Sequence, residues 1–141
     1  IPNLAFRRRD GGIFQTPDGP PSDMGSFPFS YKQLGLENLE HRIIYYESSR
    51  GCPFSCSYCL SSVDKALCFL PISLVKRELD WFLERKVPQV KFVDRTFNCK
   101  KSHALAIWRH IQEHDNGVTN FHFEIAADGS FVSDTIMFQA R

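Results

Sequence analysis

Three cysteines fall within eight residues of this chain, in Ser48-Ser49-Arg50-Gly51-Cys52-Pro53-Phe54-Ser55-Cys56-Ser57-Tyr58-Cys59. They follow a β-branched and aromatic run, Arg42-Ile43-Ile44-Tyr45-Tyr46-Glu47, whose composition predicts a strand. The fold must therefore deliver three thiols onto one polar loop just past a strand end. Such a loop offers no core for three thiols to fill, so the spacing Cys-x3-Cys-x2-Cys reads as a metal or cluster site. The remaining two, Cys68 and Cys99, read as small apolar residues. An odd total of five, clustered in this way, argues against a secreted disulfide framework and for a reducing, cytoplasmic setting.

The pattern after the loop alternates. Residues 71–86 predict a helix, with Ile72, Val75, Leu79 and Phe82 on one stripe and Pro71 at its first position. Pro88 ends it, and Gln89 to Asp94 predicts a second strand. Residues 101–114 predict a second helix with Ala104, Ile107, Trp108 and Ile111 on one face, closed by Asn116-Gly117. Asn120 to Ala127 predicts a third strand, and residues 131–140 the start of a third helix. Strand–helix–strand–helix–strand implies an α/β fold with a parallel sheet and right-handed crossovers. Chemistry in such folds gathers at the carboxyl ends of the strands. Residues 47–59, 94–98 and 124–128 should then share one rim.

Residues 1–40 differ. They are rich in Gly, Pro, Ser and Asp, with a short strand predicted at Ile13-Phe14. They read as an extended connector whose aromatics, Phe27, Phe29 and Tyr31, favour docking over disorder. Residues 41–141 read as the second region.

Three thiolates can each ligate one iron of a cubane 4Fe-4S cluster and leave a fourth iron without a protein ligand. Electron-transfer clusters normally use four cysteines, whereas an open metal position can accept a substrate. Structural zinc is the competing reading. It wants a fourth ligand, from Cys68 or a histidine. His110 and His114, four residues apart on the second helix, could also bind a metal, although a solvated helix face is the favoured reading of that pair.

Cys52-x3-Cys56-x2-Cys59, with Tyr58 before the last cysteine, resembles the signature of the radical S-adenosylmethionine superfamily. Ser49-Arg50-Gly51-Cys52 resembles the branch in which a cobalamin-binding domain precedes the radical domain. Phe92-Val93-Asp94-Arg95-Thr96-Phe97 and Phe121-His122-Phe123-Glu124-Ile125 resemble that branch's second and third strands, and the connector with Phe27-Pro28-Phe29 resembles its interdomain linker. The resemblance runs from the connector to about Asp128. It implies the first half of a partial (β/α)6 barrel and an enzyme that cleaves S-adenosylmethionine reductively to a 5′-deoxyadenosyl radical acting on an unknown substrate. A low-potential donor of flavodoxin or ferredoxin type would supply the electron. Cobalamin would belong to a domain upstream of Ile1.

The resemblance also suggests roles around the cysteines. Glu124, a carboxylate in an apolar strand, would bind the cofactor's ribose or ammonium; an ion pair with a nearby Lys or Arg is the alternative. Asp94 would lie near the methionine end, or else cap a turn. Tyr58 would pack near the adenine, or in a core. Arg50 would steady the cluster's charge or pair with Glu47. Arg95 departs from the acidic pair common in relatives.

Bulk properties exclude other classes. The net charge of +1 carries no basic stripe for nucleic acid, and Arg7-Arg8-Arg9 reads as a solvated turn. No apolar run approaches the ~20 residues of a membrane span. The chain starts with Ile1 rather than Met and is expected to be a piece of a longer protein. As a half barrel it would have an open face and an unpaired strand, and could be catalytically inert alone.

Overall fold

The computed structural model describes residues 1–20, 23–35, 39, 41–62 and 66–126. Among them, three short strands form a parallel sheet: β3 (Ile43–Tyr46), β6 (Gln89–Phe92) and β7 (Asn120–His122). The order is β3-β6-β7, with Ile44 opposite Val90 and Val90 opposite Phe121. Helix α1 (Ile72–Glu84) joins the first pair and α2 (Lys101–Glu113) the second.

Period-two alternation decides which face is covered. Ile44, Tyr46, Val90 and Phe92 are buried against the two helices, which contribute Val75, Leu79 and Phe82 from α1 and Ala104 and Ile107 from α2. These belong to the stripes expected from the sequence, whose other members, Ile72, Trp108 and Ile111, are partly buried against the same core. Ile43, Tyr45, Gln89, Asn120 and His122 lie on the opposite face, which is open among the described residues. One buried carboxylate interrupts the core: Glu78 on α1 accepts a 2.7 Å hydrogen bond from the Tyr46 hydroxyl. Burial raises the pKa of both groups.

The helices match their expected spans within two residues at each end. Pro71 stands just outside α1, its carbonyl accepting from the amides of Leu74 and Val75. Beyond α2, Gly117 adopts a φ of 69° and the Asn116 side chain donates to the Leu83 carbonyl at 2.7 Å, tying the ends of the two helices together. The third strand is shorter than expected. Its ladder stops at His122, because β6 ends at Phe92 and Phe97 and Asn98 take over as hydrogen-bonding neighbours. The amide of Phe97 donates to the Glu124 carbonyl, and the Asn98 side chain pairs with both backbone groups of Ala126. The third helix expected over residues 131–140 lies outside the described residues.

In the connector, β1 (Ala5–Arg7) and β2 (Ile13–Gln15) form an antiparallel hairpin, so the strand expected at Ile13-Phe14 has a partner. Arg7, Arg8 and Arg9 are exposed, as expected, and the Arg8 guanidinium lies over the Phe14 ring. Further on, Phe29 packs edge-on against Trp81 and Phe82, and Tyr31 donates a 2.6 Å hydrogen bond to the Tyr45 carbonyl. This part of the connector is docked onto α1 and β3. None of the described helices is long and apolar enough to cross a membrane.

Candidate metal centre

All three parallel strands deliver the chain to one rim. Past β3 it enters β4 (Ser49–Arg50), which pairs antiparallel with β5 (Cys68–Phe69). This two-stranded ribbon closes the cysteine loop at its base. Loops of such length inside a compact unit are uncommon and usually functional. The loop leaves the ribbon through Gly51, whose φ of 101° lies where side chains are strained. A Cβ at Gly51 would also collide with the Ala66 carbonyl on the returning strand. Only glycine lets the two legs of the loop approach this closely, which gives the Gly51-Cys52 step a physical reason.

A second anchor comes from β6. Asp94 is 1% exposed. Its carboxylate accepts from the Ser48 amide at 3.2 Å, from the Ser48 hydroxyl at 2.8 Å and from the Ser49 hydroxyl. Sequence reasoning left Asp94 between a cofactor contact and a turn cap. The geometry makes it the tie between the segment after β6 and the root of the cysteine loop, and it also lines the cavity at the rim. Sequence reading missed Ser48 and Ser49, and their adjacency just before the cysteines is the only local signal.

The cysteines themselves are half-buried, and none of the five in the chain is disulfide-bonded. Cys52 Sγ lies 3.6 Å from the Thr96 hydroxyl, linking the loop to the end of β6. The Cys59 amide donates to the Cys56 carbonyl at 3.1 Å in a tight turn. Cys52 and Cys59 line a cavity of about 570 Å³ with Glu47, Lys91, Asp94, Arg95 and Glu124 as its charged wall. That size falls within the usual range for small-molecule sites.

The three sulfurs do not form a group within 4.8 Å; the described residues hold one such set of metal-ligating atoms, and it is elsewhere. Zinc at ~2.3 Å from each thiolate would draw sulfurs to about 3.8 Å in a tetrahedron. A cubane, whose thiolates bind different irons, needs wider spacing. Three thiols of one loop beside this cavity are a donor set chemically able to hold an iron–sulfur cluster. Cys68 pairs with Arg50 in the ribbon and packs on the core, and burial pushes the Cys99 thiol up. The nearby Cys52 thiol adds to the Cys99 shift.

The remaining expected residues divide. Glu124 is not buried: its side chain is 66% exposed and forms a 2.9 Å ion pair with Lys91. That hydrogen bond raises the Lys91 pKa. Phe121 and Phe123 take the half-buried positions of the third strand, and alternation turns Glu124 to the open face and into the cavity wall. Tyr58 is 91% exposed, which removes the core-packing reading. Arg50 grips Glu47 through two guanidinium nitrogens, and this hydrogen bonding raises its pKa. Arg95 is exposed on the cavity wall. Behind the rim, His103 is buried, with Nε2 lacking a hydrogen-bond partner among the described residues and its pKa lowered by burial. Comparison of the sequence with family models and with curated proteins finds no match.

Proposed function

We propose that this chain is the cluster-bearing part of a radical S-adenosylmethionine enzyme. The observation that carries the reading is the delivery of Cys52 and Cys59, with Cys56 in the same turn, to a cavity at the carboxyl rim of a parallel sheet. A 4Fe-4S cluster, when bound there, supplies an open iron for the amino and carboxylate groups of S-adenosylmethionine and one electron to break its sulfonium C–S bond, giving methionine and a 5′-deoxyadenosyl radical.

The chain's own residues hold and shield that chemistry. Cys52, Cys56 and Cys59 are the ligands. Asp94 acts at the methionine end indirectly, as a positioning residue, because its oxygens are taken by Ser48 and Ser49. Glu124 is assigned to the ribose or ammonium of the cofactor, and its exposure leaves it free to exchange Lys91 for that partner. Tyr58 is assigned to the adenine as an exposed aromatic face. Val93 and Tyr45 form an apolar stretch of the same wall that helps exclude water.

The sheet's order and its open face support the first half of a (β/α)6 barrel, with the open face toward the barrel's interior. Ser49-Arg50-Gly51-Cys52 supports the cobalamin-associated branch, with cobalamin carried by an upstream domain, an electron donor of flavodoxin or ferredoxin type and a cytoplasmic setting. Anaerobic reconstitution with iron and sulfide tests the reading. It should give sulfide-to-iron charge-transfer absorption, and Cys56→Ala should abolish it. Zinc bound by the cysteines without sulfide would overturn the proposal.

A further inference from the structure

Away from the cysteine rim, α1 and α2 meet on the outside of the unit. There Asp80 of α1 joins His110 and His114 of α2. One carboxylate oxygen and one ring nitrogen from each histidine all lie within 4.8 Å of one another. His110 is buried in the seam, its Nε2 2.7 Å from Asp80 Oδ1. His114 is exposed and stacks on it, with ring centroids 4.2 Å apart.

The tautomer of His114 can be read from its partner. Its Nδ1 lies 2.9 Å from the His110 carbonyl. A carbonyl only accepts, so Nδ1 carries the proton and Nε2 keeps the lone pair. A metal-ligating histidine is held in the same way, with one ring N–H on a backbone carbonyl and the other nitrogen bare. The surroundings also favour a cation. Asp80 lies in the last turns of α1, His110 in the last turn of α2, and His114 is the residue that caps α2. The carbonyl ends of helices carry partial negative charge.

We propose that Asp80, His110 and His114 form a second metal site, a Zn²⁺ clip between α1 and α2 that is independent of the cysteine loop. Imidazole with carboxylate suits zinc, whereas magnesium and calcium prefer all-oxygen sites. Zinc at ~2.0–2.1 Å would hold its ligand atoms about 3.4 Å apart, so the 2.7 Å His110–Asp80 pair opens slightly and the exposed His114 rotates inward. The ion takes the position of the proton between His110 and Asp80, and that proton leaves to solvent. Water fills the fourth position. The helix ends lead toward the amino ends of the next strands, opposite the rim, where residues serve stability rather than chemistry.

Cobalt(II) is the probe, added to the full chain with Cys52, Cys56 and Cys59 changed to Ser. One equivalent should bind, giving d–d absorption without thiolate-to-cobalt charge transfer, and Zn²⁺ should displace it. In this background His114→Ala and Asp80→Asn should each weaken binding by more than the roughly 10–100-fold that loss of an outer-shell partner costs. If the serine variant misfolds, alkylating the cysteines of the parent chain removes the competing thiolates instead. The proposal fails if the protein without the three loop thiols binds no cobalt, or if His114→Ala, with unchanged helical circular dichroism, binds it as tightly as its parent.

Discussion

The Asp94 carboxylate accepts a 2.8 Å hydrogen bond from the Ser48 hydroxyl, across 46 positions of sequence. With Ser49 and the Ser48 amide it forms a buried staple from β6 to the root of the cysteine loop. Asp94→Ala leaves two hydroxyls and an amide buried without their acceptor. A hydrogen bond to a charged group contributes ~1.5–3 kcal/mol, so the variant should lose about 3 kcal/mol or more in denaturant unfolding. Reconstituted iron and sulfide content should fall with it. Asp94→Asn keeps acceptor capacity and should recover part of both. A cluster yield unaffected by Asp94→Ala would remove the staple from the account of the site.

Gly51 tests the geometry of the loop itself. Alanine there must adopt a φ of 101° and clear the Ala66 carbonyl. Backbone strain of this kind costs about 1–3 kcal/mol before the collision is counted. The expected outcome for Gly51→Ala is a distorted ribbon and poor cluster assembly, with α1 and α2 intact. Helical circular dichroism and sulfide analysis on the same sample would separate the two effects.

Glu124 separates binding from structure. Its ion pair with Lys91 is exposed, and exposed pairs add little to stability. Glu124→Gln should therefore unfold like the parent and assemble the same cluster. If Glu124 meets the ribose or ammonium of S-adenosylmethionine, affinity should drop about tenfold or more by titration calorimetry. Unchanged affinity would return Glu124 to a surface ion pair.

These tests also mark what could be read in advance. Both helices were legible because each buries one stripe against one sheet face, and that leaves a local period of 3.6. The cysteine loop was legible because its three cysteines sit within eight residues. Glu124 was left between a cofactor contact and an ion pair with a nearby Lys or Arg, and the structure holds the ion pair, with Lys91, on the open face to which alternation turns both residues. Long-range pairings left no local trace: Asp94 with Ser48, Asn98 with Ala126, Glu78 with Tyr46, and Asp80 with the two histidines. Each joins residues at least 28 positions apart.

His103 supplies a test in pH. It is 7% exposed, and burial lowers its pKa from 6.5. Asp94 and the Ser48 backbone act against that shift, while Lys100 adds to it. Folded His103 stays neutral where the unfolded chain has begun to take up a proton. The unfolded state then binds more protons below about pH 6.5, so stability is full above that pH and falls as pH drops through the folded pKa. Glu78 works in the opposite sense. Its folded pKa is raised from 4.5, so its contribution is lost as pH rises. The difference between the parent and His103→Gln cancels Glu78 and the other histidines. Between about pH 5 and 7 that difference should shift in favour of His103→Gln as pH falls. Denaturant midpoints across the range measure it. A difference that does not vary with pH, or that moves the other way, would mean that His103 finds a partner for its proton in the folded chain.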